Sequence, residues 1–156
     1  MKQFSRMAGF ADAMLHGGRI RQVGAICYRT GAIGLEVLLI TTRDTGRWTI
    51  PKGWPIGGKA SHRAAEQEAF EEAGAKGRVS RTIFGRYAYV KVLSTHMRVD
   101  AVVDVHLLEV RRMAPRFPER GQRKQAWLSP QEAALRVKEP SLKRLLLRLP
   151  GQSRLK

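Results

Sequence analysis

Acidic residues are scarce in this chain: 13 Asp and Glu stand against 29 Lys and Arg, a formal charge of +16 over 156 residues. Such a field gathers anions, so nucleic acid, anionic lipid and small polyphosphates are the partner classes it admits. Cysteine is rarer still. The single Cys27 excludes a disulfide framework and any zinc site built on several thiolates, and it suits a reducing compartment. The four histidines, at 16, 62, 96 and 106, show no metal-ligand spacing. No apolar run reaches the ~18 residues that a bilayer span needs, so a soluble, cytoplasmic protein with no membrane partner is expected. Helix-turn-helix, zinc-finger and RNA-binding aromatic signatures are missing, as are internal repeats. At 43% hydrophobic residues an ordered core is feasible, and the length suits one domain.

Residues 1–18 place Phe4, Met7, Phe10 and Met14 at roughly helical spacing, interrupted by Asp12 and His16. A loosely docked helix or frayed tail is expected there, with a cleaved organelle-targeting peptide as the alternative. A single domain is expected over 19–150, followed by a basic tail over 151–156. Val23 to Tyr28 reads as a buried strand, and Glu36 to Thr42 reads as its hairpin partner. Arg47 to Ile50 is a brief β-prone run stopped by Pro51 and Gly53. The loop PKGWPIGGK then leads into the clearest helix, with Ser61 expected at its N-cap, an Ala64, Ala65, Ala69, Phe70 stripe, and Gly74 as its stop. Three β-rich stretches follow: Val79 to Phe84, Tyr87 to Leu93, and the alternating Val99 to Val110. Arg111 to Lys124 reads as a basic, mobile loop and Gln125 to Leu128 as a closing strand. Ser129-Pro130 opens another helix, and Ser141 to Leu149 is a last amphipathic one. Its basic residues Lys143, Arg144 and Arg148 allow a membrane-surface module, but closing the core is the expected role.

The central helix breaks the rules of stability. Glu68, Glu71 and Glu72 share one face and lie in the last turns before Gly74, where the helix dipole disfavours negative charge by about 0.3–1 kcal/mol per group. Like charges at i,i+4 add a few tenths of a kcal/mol. A solvated acidic face paired with surplus arginines is the plain explanation. A divalent cation is the other, since Mg²⁺ or Mn²⁺ is commonly held by a few carboxylates together with substrate phosphates. The glycines at 53, 57 and 58 let backbone approach a ligand closely.

These residues also carry a family pattern. Gly53, five residues, Lys59, seven residues, then Gln67-Glu68-Ala69-Phe70-Glu71-Glu72-Ala73-Gly74-Ala75 resembles the Nudix hydrolase pattern Gly-x5-Glu-x7-Arg-Glu-U-x-Glu-Glu-x-Gly-U, where U is apolar. Trp48 before Ile50-Pro51, and Trp127-Leu128-Ser129 before a helix, fit the same family, so the resemblance runs from about residue 19 to 149. It implies an α/β (α+β) fold, an α/β/α sandwich with a mixed β-sheet and a loop-helix-loop catalytic motif. It further implies a metal-dependent hydrolase that cleaves a diphosphate bond. Glu68, Glu71 and Glu72 become the catalytic metal ligands, joined by the backbone carbonyl of Lys52, with Mg²⁺ or Mn²⁺ as cofactor. Glu68 is also the expected residue to orient or deprotonate the water. Glu119, the one acid in the loop before Trp127, is either another base or an ordinary loop charge. Lys59 and Gln67 replace the family's first Glu and its Arg, supporting positions that these residues can still link by a hydrogen bond.

Within the family, Arg47 to Gly53 and Arg123 to Leu128 look like the diphosphoinositol polyphosphate phosphohydrolase branch, which also cleaves dinucleoside polyphosphates. The segment after Gly74 and the first strand, Ile20-Arg21-Gln22, depart from that branch. Arg43, Arg47, Lys52, Arg98, Arg123 and Lys124 are the expected phosphate-gripping residues. ADP-ribose and other nucleoside diphosphate derivatives are the enzymatic alternative, with Trp54, Tyr87 or Tyr89 either stacking on a base or packing in the core. A polyphosphate- or RNA-binding module is the alternative of another class. The oligomeric state is not legible.

Overall fold

A computed structural model describes residues 19–152; the expected N-terminal helix or tail and the last residues of the C-terminal tail lie outside it. Its centre is β1 (Arg19–Gly31), where Val23 to Tyr28 are buried without alternation. Such a run belongs to a strand covered on both faces. A hairpin joins β1 to β2 (Gly34–Thr41) in antiparallel register from Tyr28↔Val37 to Gly31↔Gly34, as expected. Two short strands, β3 (Trp48–Thr49) and β4 (Lys52–Gly53), follow on either side of Pro51; β3 pairs with β2 and β4 with β1. Helix α1 (Ser61–Ala73) then leads into the long strands β5 (Ala75–Ser94) and β6 (Met97–Met113). The chain closes with β7 (Gln125–Leu128), α2 (Pro130–Arg136), α3 (Pro140–Arg148) and a 3₁₀ turn over Leu149–Gly151.

The seven strands form one mixed sheet in the order β3-β2-β1-β6-β5, with β4 added to β1 and β7 to β2. The β1–β6 pair is parallel from Arg19↔Asp100 to Tyr28↔Glu109, and the others are antiparallel. Helix α1 lies on one face, where Ala64, Ala65, Ala69 and Ala73 are at most 1% exposed and let it sit close to Val23, Ala25, Cys27 and Leu108. On the other face α2 and α3 bury Ala133, Leu142, Leu145 and Leu146 against Ile26, Leu39, Val103 and Val105. The α/β/α layering and mixed sheet therefore hold. The last helix closes the core rather than presenting its apolar side outward.

Four local expectations need correction. Ala60, not Ser61, occupies the N-cap of α1, with no side-chain capping bond, because the Ser61 hydroxyl is 2.8 Å from His106 Nε2. The two stretches after the helix are one strand, β5, whose register slips between Val79 and Ile83. The alternation of β6 does not separate buried from exposed residues, since Asp104 and His106 are 9% and 0% exposed, Asp104 paired with Arg86 and Arg21 and His106 with Ser61 and the Ser80 carbonyl. Arg111 to Lys124 is not a free loop: Arg111 to Met113 belong to β6, while Ala114 N–H donates to Gly74 O at 2.7 Å and Glu119 N–H to Glu71 O at 2.9 Å. Gly74 ends α1 as expected, at φ 72° with its N–H on Ala69 O and Phe70 O. The cap of α2 is as expected too, Ser129 accepting from the Glu132 N–H at 3.1 Å.

Candidate active site

The end of α1 brings two carboxylates to the main chain of β4. Glu68 and Glu72, one turn apart, are 3% and 6% exposed. The Lys52 N–H donates to Glu72 Oε1 at 3.2 Å, and a Cβ placed on Gly53 would stand 2.3 Å from the Glu68 Cδ. Only a glycine lets the Glu68 carboxylate lie this close to the chain. The strand that carries these two residues is fixed by β1, through Val23↔Gly53 and Gly24↔Lys52.

Two buried carboxylates side by side are costly unless paired. Arg123 supplies much of the pairing: one guanidinium nitrogen lies 3.2 Å from Glu72 and 2.9 Å from Glu119, all three side chains being at most 10% exposed. A second nitrogen donates to Thr41 O at 3.1 Å. Arg123 is thus a buried clamp, not the open phosphate grip that its place in a basic loop suggested. Glu119 is buried within that clamp and is no ordinary loop charge.

Glu71 has a different partner. The Lys59 ammonium donates to Gln67 Oε1, and Gln67 Nε2 donates to Glu71 Oε1 at 3.0 Å. The two departures from the family pattern therefore touch each other, and Gln67 passes the contact on to Glu71. Among the described residues no three His, Cys, Asp or Glu side chains stand together as a ready-made cation cage. Glu68 and Glu72 nevertheless bring two carboxylates, hard oxygen donors, to the Lys52–Gly53 main chain. That donor set, cradled against a glycine with no room for a side chain, fits Mg²⁺ or Mn²⁺.

On the opposite side of β4 the Lys52 side chain reaches a second group of polar residues. Its ammonium donates to Thr49 Oγ1 at 3.1 Å and lies 5.2 Å from the centre of the Tyr89 ring, whose hydroxyl donates to Gln22 Oε1. Burial pushes the Lys52 ammonium down to about 8, against the opposing pull of Glu72. Burial also pushes the Tyr87 and Tyr89 hydroxyls up. Arg47 pairs with the buried Glu139 at 3.1 Å, tying β3 to the α2–α3 junction. Arg43 is half-exposed, 3.7 Å from Glu119 and 3.1 Å from Gln122. Lys124 is exposed, with its N–H on Thr41 Oγ1 at 2.9 Å. Arg98 lies opposite Val92 near the tip of the β5–β6 hairpin, and no hydrogen bond or ion pair among the described residues joins it to this region. Trp54 and Tyr87 pack into apolar clusters, leaving Tyr89 as the half-buried aromatic beside Lys52. Gln22, Thr49 and Glu139 gave no signal in the sequence, because each is a single polar residue in an apolar or loop context.

No curated protein sequence matches this chain, but solved structures do. The Ap4A hydrolase of C. elegans in a binary complex superposes with a TM-score of 0.62 at 18% identity, over 84% of this chain and 95% of that one. A NUDIX hydrolase from Nitrosomonas europaea gives 0.63 at 17% identity, over 84% and 88%. The NUDIX domain of Shewanella oneidensis NrtR, complexed with ADP ribose, gives 0.65 at 12% identity, over 97% and 100%. At such identities these structures are alike in fold. The family itself is given by the match of residues 18–149 to the NUDIX domain model. That match spans the sheet, its flanking helices and the helix carrying Glu68 and Glu72: the chain belongs to the NUDIX domain family.

Proposed function

We propose that the substrate is a highly anionic compound with a phosphoanhydride bond, a dinucleoside polyphosphate or a diphosphoinositol polyphosphate, cleaved with the help of Mg²⁺ or Mn²⁺. The observation that carries this reading is the convergence of the buried Glu68 and Glu72 on the glycine edge of β4. Glu68, Glu72 and the Lys52 carbonyl would hold the cation, with Glu71 a further ligand directly or through water. The chemistry that such a cation supplies when bound is neutralisation of the charge on the phosphoryl oxygens.

The chain's own residues do the rest. Glu68, held against Gly53, orients the attacking water and accepts its proton. Lys52 meets the substrate as a point charge, which is present below its lowered pKa of about 8 and is lost as the pH rises through that value. Arg43, Arg47 and Lys124 line the approach on the β2–β3 and β7 side, and grip the outer phosphates. Arg123 holds Glu72 in place. A nucleoside diphosphate derivative such as ADP-ribose is the second reading, supported by the half-buried Tyr89 ring beside Lys52, a surface on which a base can stack.

Incubation with Mg²⁺ and a panel of diphosphate compounds tests both readings. Wild type is expected to release phosphate or nucleotide products, and Glu72→Gln to lose turnover by orders of magnitude. Equal turnover of the two proteins would remove Glu72 from the reaction. No turnover on any compound, with tight RNA binding, would favour a binding module.

A further inference from the structure

The bulged half of β5 borders a cleft of about 800 Å³ that shares no residue with the Glu68–Glu72 site. Four arginines line it, Arg63, Arg78, Arg81 and Arg111, together with Glu66 and Glu109. The two acids are already matched, Glu66 to Arg63 at 3.0 Å and Glu109 to Arg111 at 3.2 Å. Among the described residues no hydrogen bond or ion pair engages the side chains of Arg78 or Arg81, and both are exposed. The cleft therefore carries two unbalanced positive charges.

Its wall is built deliberately. Between Val79↔Leu108 and Ile83↔His106, β5 spends more residues than β6, so Ser80 to Thr82 bulge outward. The fully buried His106 fixes this bulge. Its Nδ1 lies 2.9 Å from the Ser80 carbonyl, which can only accept, so Nδ1 donates. Nε2 lies 2.8 Å from the Ser61 hydroxyl, fastening the bulge to the first turn of α1. A second hollow of about 640 Å³ continues from the cleft across Arg63, Glu66 and Gly77 to Lys76 on the outer side of α1.

We propose that this cleft binds the phosphodiester backbone of a polynucleotide. A small phosphate compound needs donors converging in an enclosed pocket, whereas these arginines are exposed and strung along an edge, which suits a running chain of phosphates. The aromatic lining is Tyr28, only 9% exposed, so bases find no stacking platform and the contact is insensitive to sequence. A lipid surface is disfavoured: the exposed large apolar side chains, among them Ile33, Val92 and Leu147, lie outside the cleft.

The test uses a short fluorescein-labelled RNA of mixed sequence, read by anisotropy in EDTA so that no hydrolysis intervenes. Wild type is compared with Arg78→Gln/Arg81→Gln and with a charge-matched control, Arg120→Gln/Arg144→Gln, at two exposed positions elsewhere. Loss of two phosphate contacts should flatten the slope of log K against log salt by about 1.4, while the control keeps most of the wild-type affinity. Diphosphate hydrolysis by the cleft variant should stay at the wild-type level, showing that the fold and the catalytic site are intact. The proposal is overturned if wild type fails to bind at low salt, if both double variants weaken equally, or if the cleft variant also loses hydrolysis. It is equally overturned if the cleft variant binds RNA normally but loses inorganic polyphosphate or anionic vesicles.

Discussion

Adding one methyl group at Gly53 probes the site where it is tightest. In Gly53→Ala the new Cβ would lie 2.3 Å from Glu68 Cδ and 2.4 and 2.6 Å from its oxygens. Ordinary contact begins near 3.4 Å, so the carboxylate has to retreat by about 1 Å. The backbone itself tolerates alanine, because Gly53 is not among the glycines at positive φ. Alanine also narrows the unfolded ensemble, which is worth about 0.4–1 kcal/mol where the native conformation is compatible. Stability is thus expected to change little, because Glu68 is a side chain that can turn. Catalysis should suffer, since a 1 Å misplacement of a reacting group can cost about 10²-fold. The assay is kcat/KM for a diphosphate substrate at saturating Mg²⁺, paired with thermal unfolding of the metal-free protein. A loss of about 10²-fold with a nearly unchanged Tm is the expected result. Activity within threefold of wild type would refute the placement of Glu68 in the reaction.

Other perturbations separate the roles of neighbouring residues. Arg123→Ala leaves Glu72 and Glu119 buried without their shared guanidinium, so the metal-free protein should lose about 3 kcal/mol in denaturant unfolding. Added Mn²⁺ should recover more stability in this variant than in wild type, and equal recovery would count against a cation at Glu72. Lys59→Glu should stay within about tenfold of wild-type activity, the scale of a supporting contact, and Lys59→Glu/Gln67→Arg should return to wild type. Complete loss in the single variant would show that Lys59 touches substrate. Burial pushes the Cys27 thiol up from 9.0 to about 12, so between those values the unfolded chain gives up a proton that the folded chain keeps. Stability should therefore fall across that range, and Cys27→Ala should remove this part of the fall when the two proteins are compared by urea unfolding.

Much of the fold was legible because its signals are local. The apolar run of β1, the alanine stripe of α1, the Gly74 stop and the Ser129-Pro130 start each depend on residues a few positions apart. So did the acidic face of α1, whose conflict with the helix dipole marked Glu68 and Glu72. What escaped the sequence depends on distant partners. Asp104 is an acid inside a strand, and its burial depends on Arg86 at 2.7 Å and Arg21 at 3.4 Å. Ser61 looked like a cap, and its hydroxyl instead meets a histidine 45 positions away. Arg123 looked like a surface cation, and it clamps a glutamate 51 positions earlier. The split of β5 into two strands came from a bulge, which interrupts periodicity without ending the strand.

The most direct trial of the cation site is a calorimetric titration of Mn²⁺ into metal-free wild type and Glu72→Gln, each with and without a non-hydrolysable diphosphate analogue. Saturable uptake at millimolar metal or below by wild type, strengthened by the analogue and lost or greatly weakened in Glu72→Gln, is the predicted outcome. No uptake by wild type under either condition, or identical uptake by the two proteins, would contradict the assignment of Glu68, Glu72 and the β4 edge as the centre of the reaction.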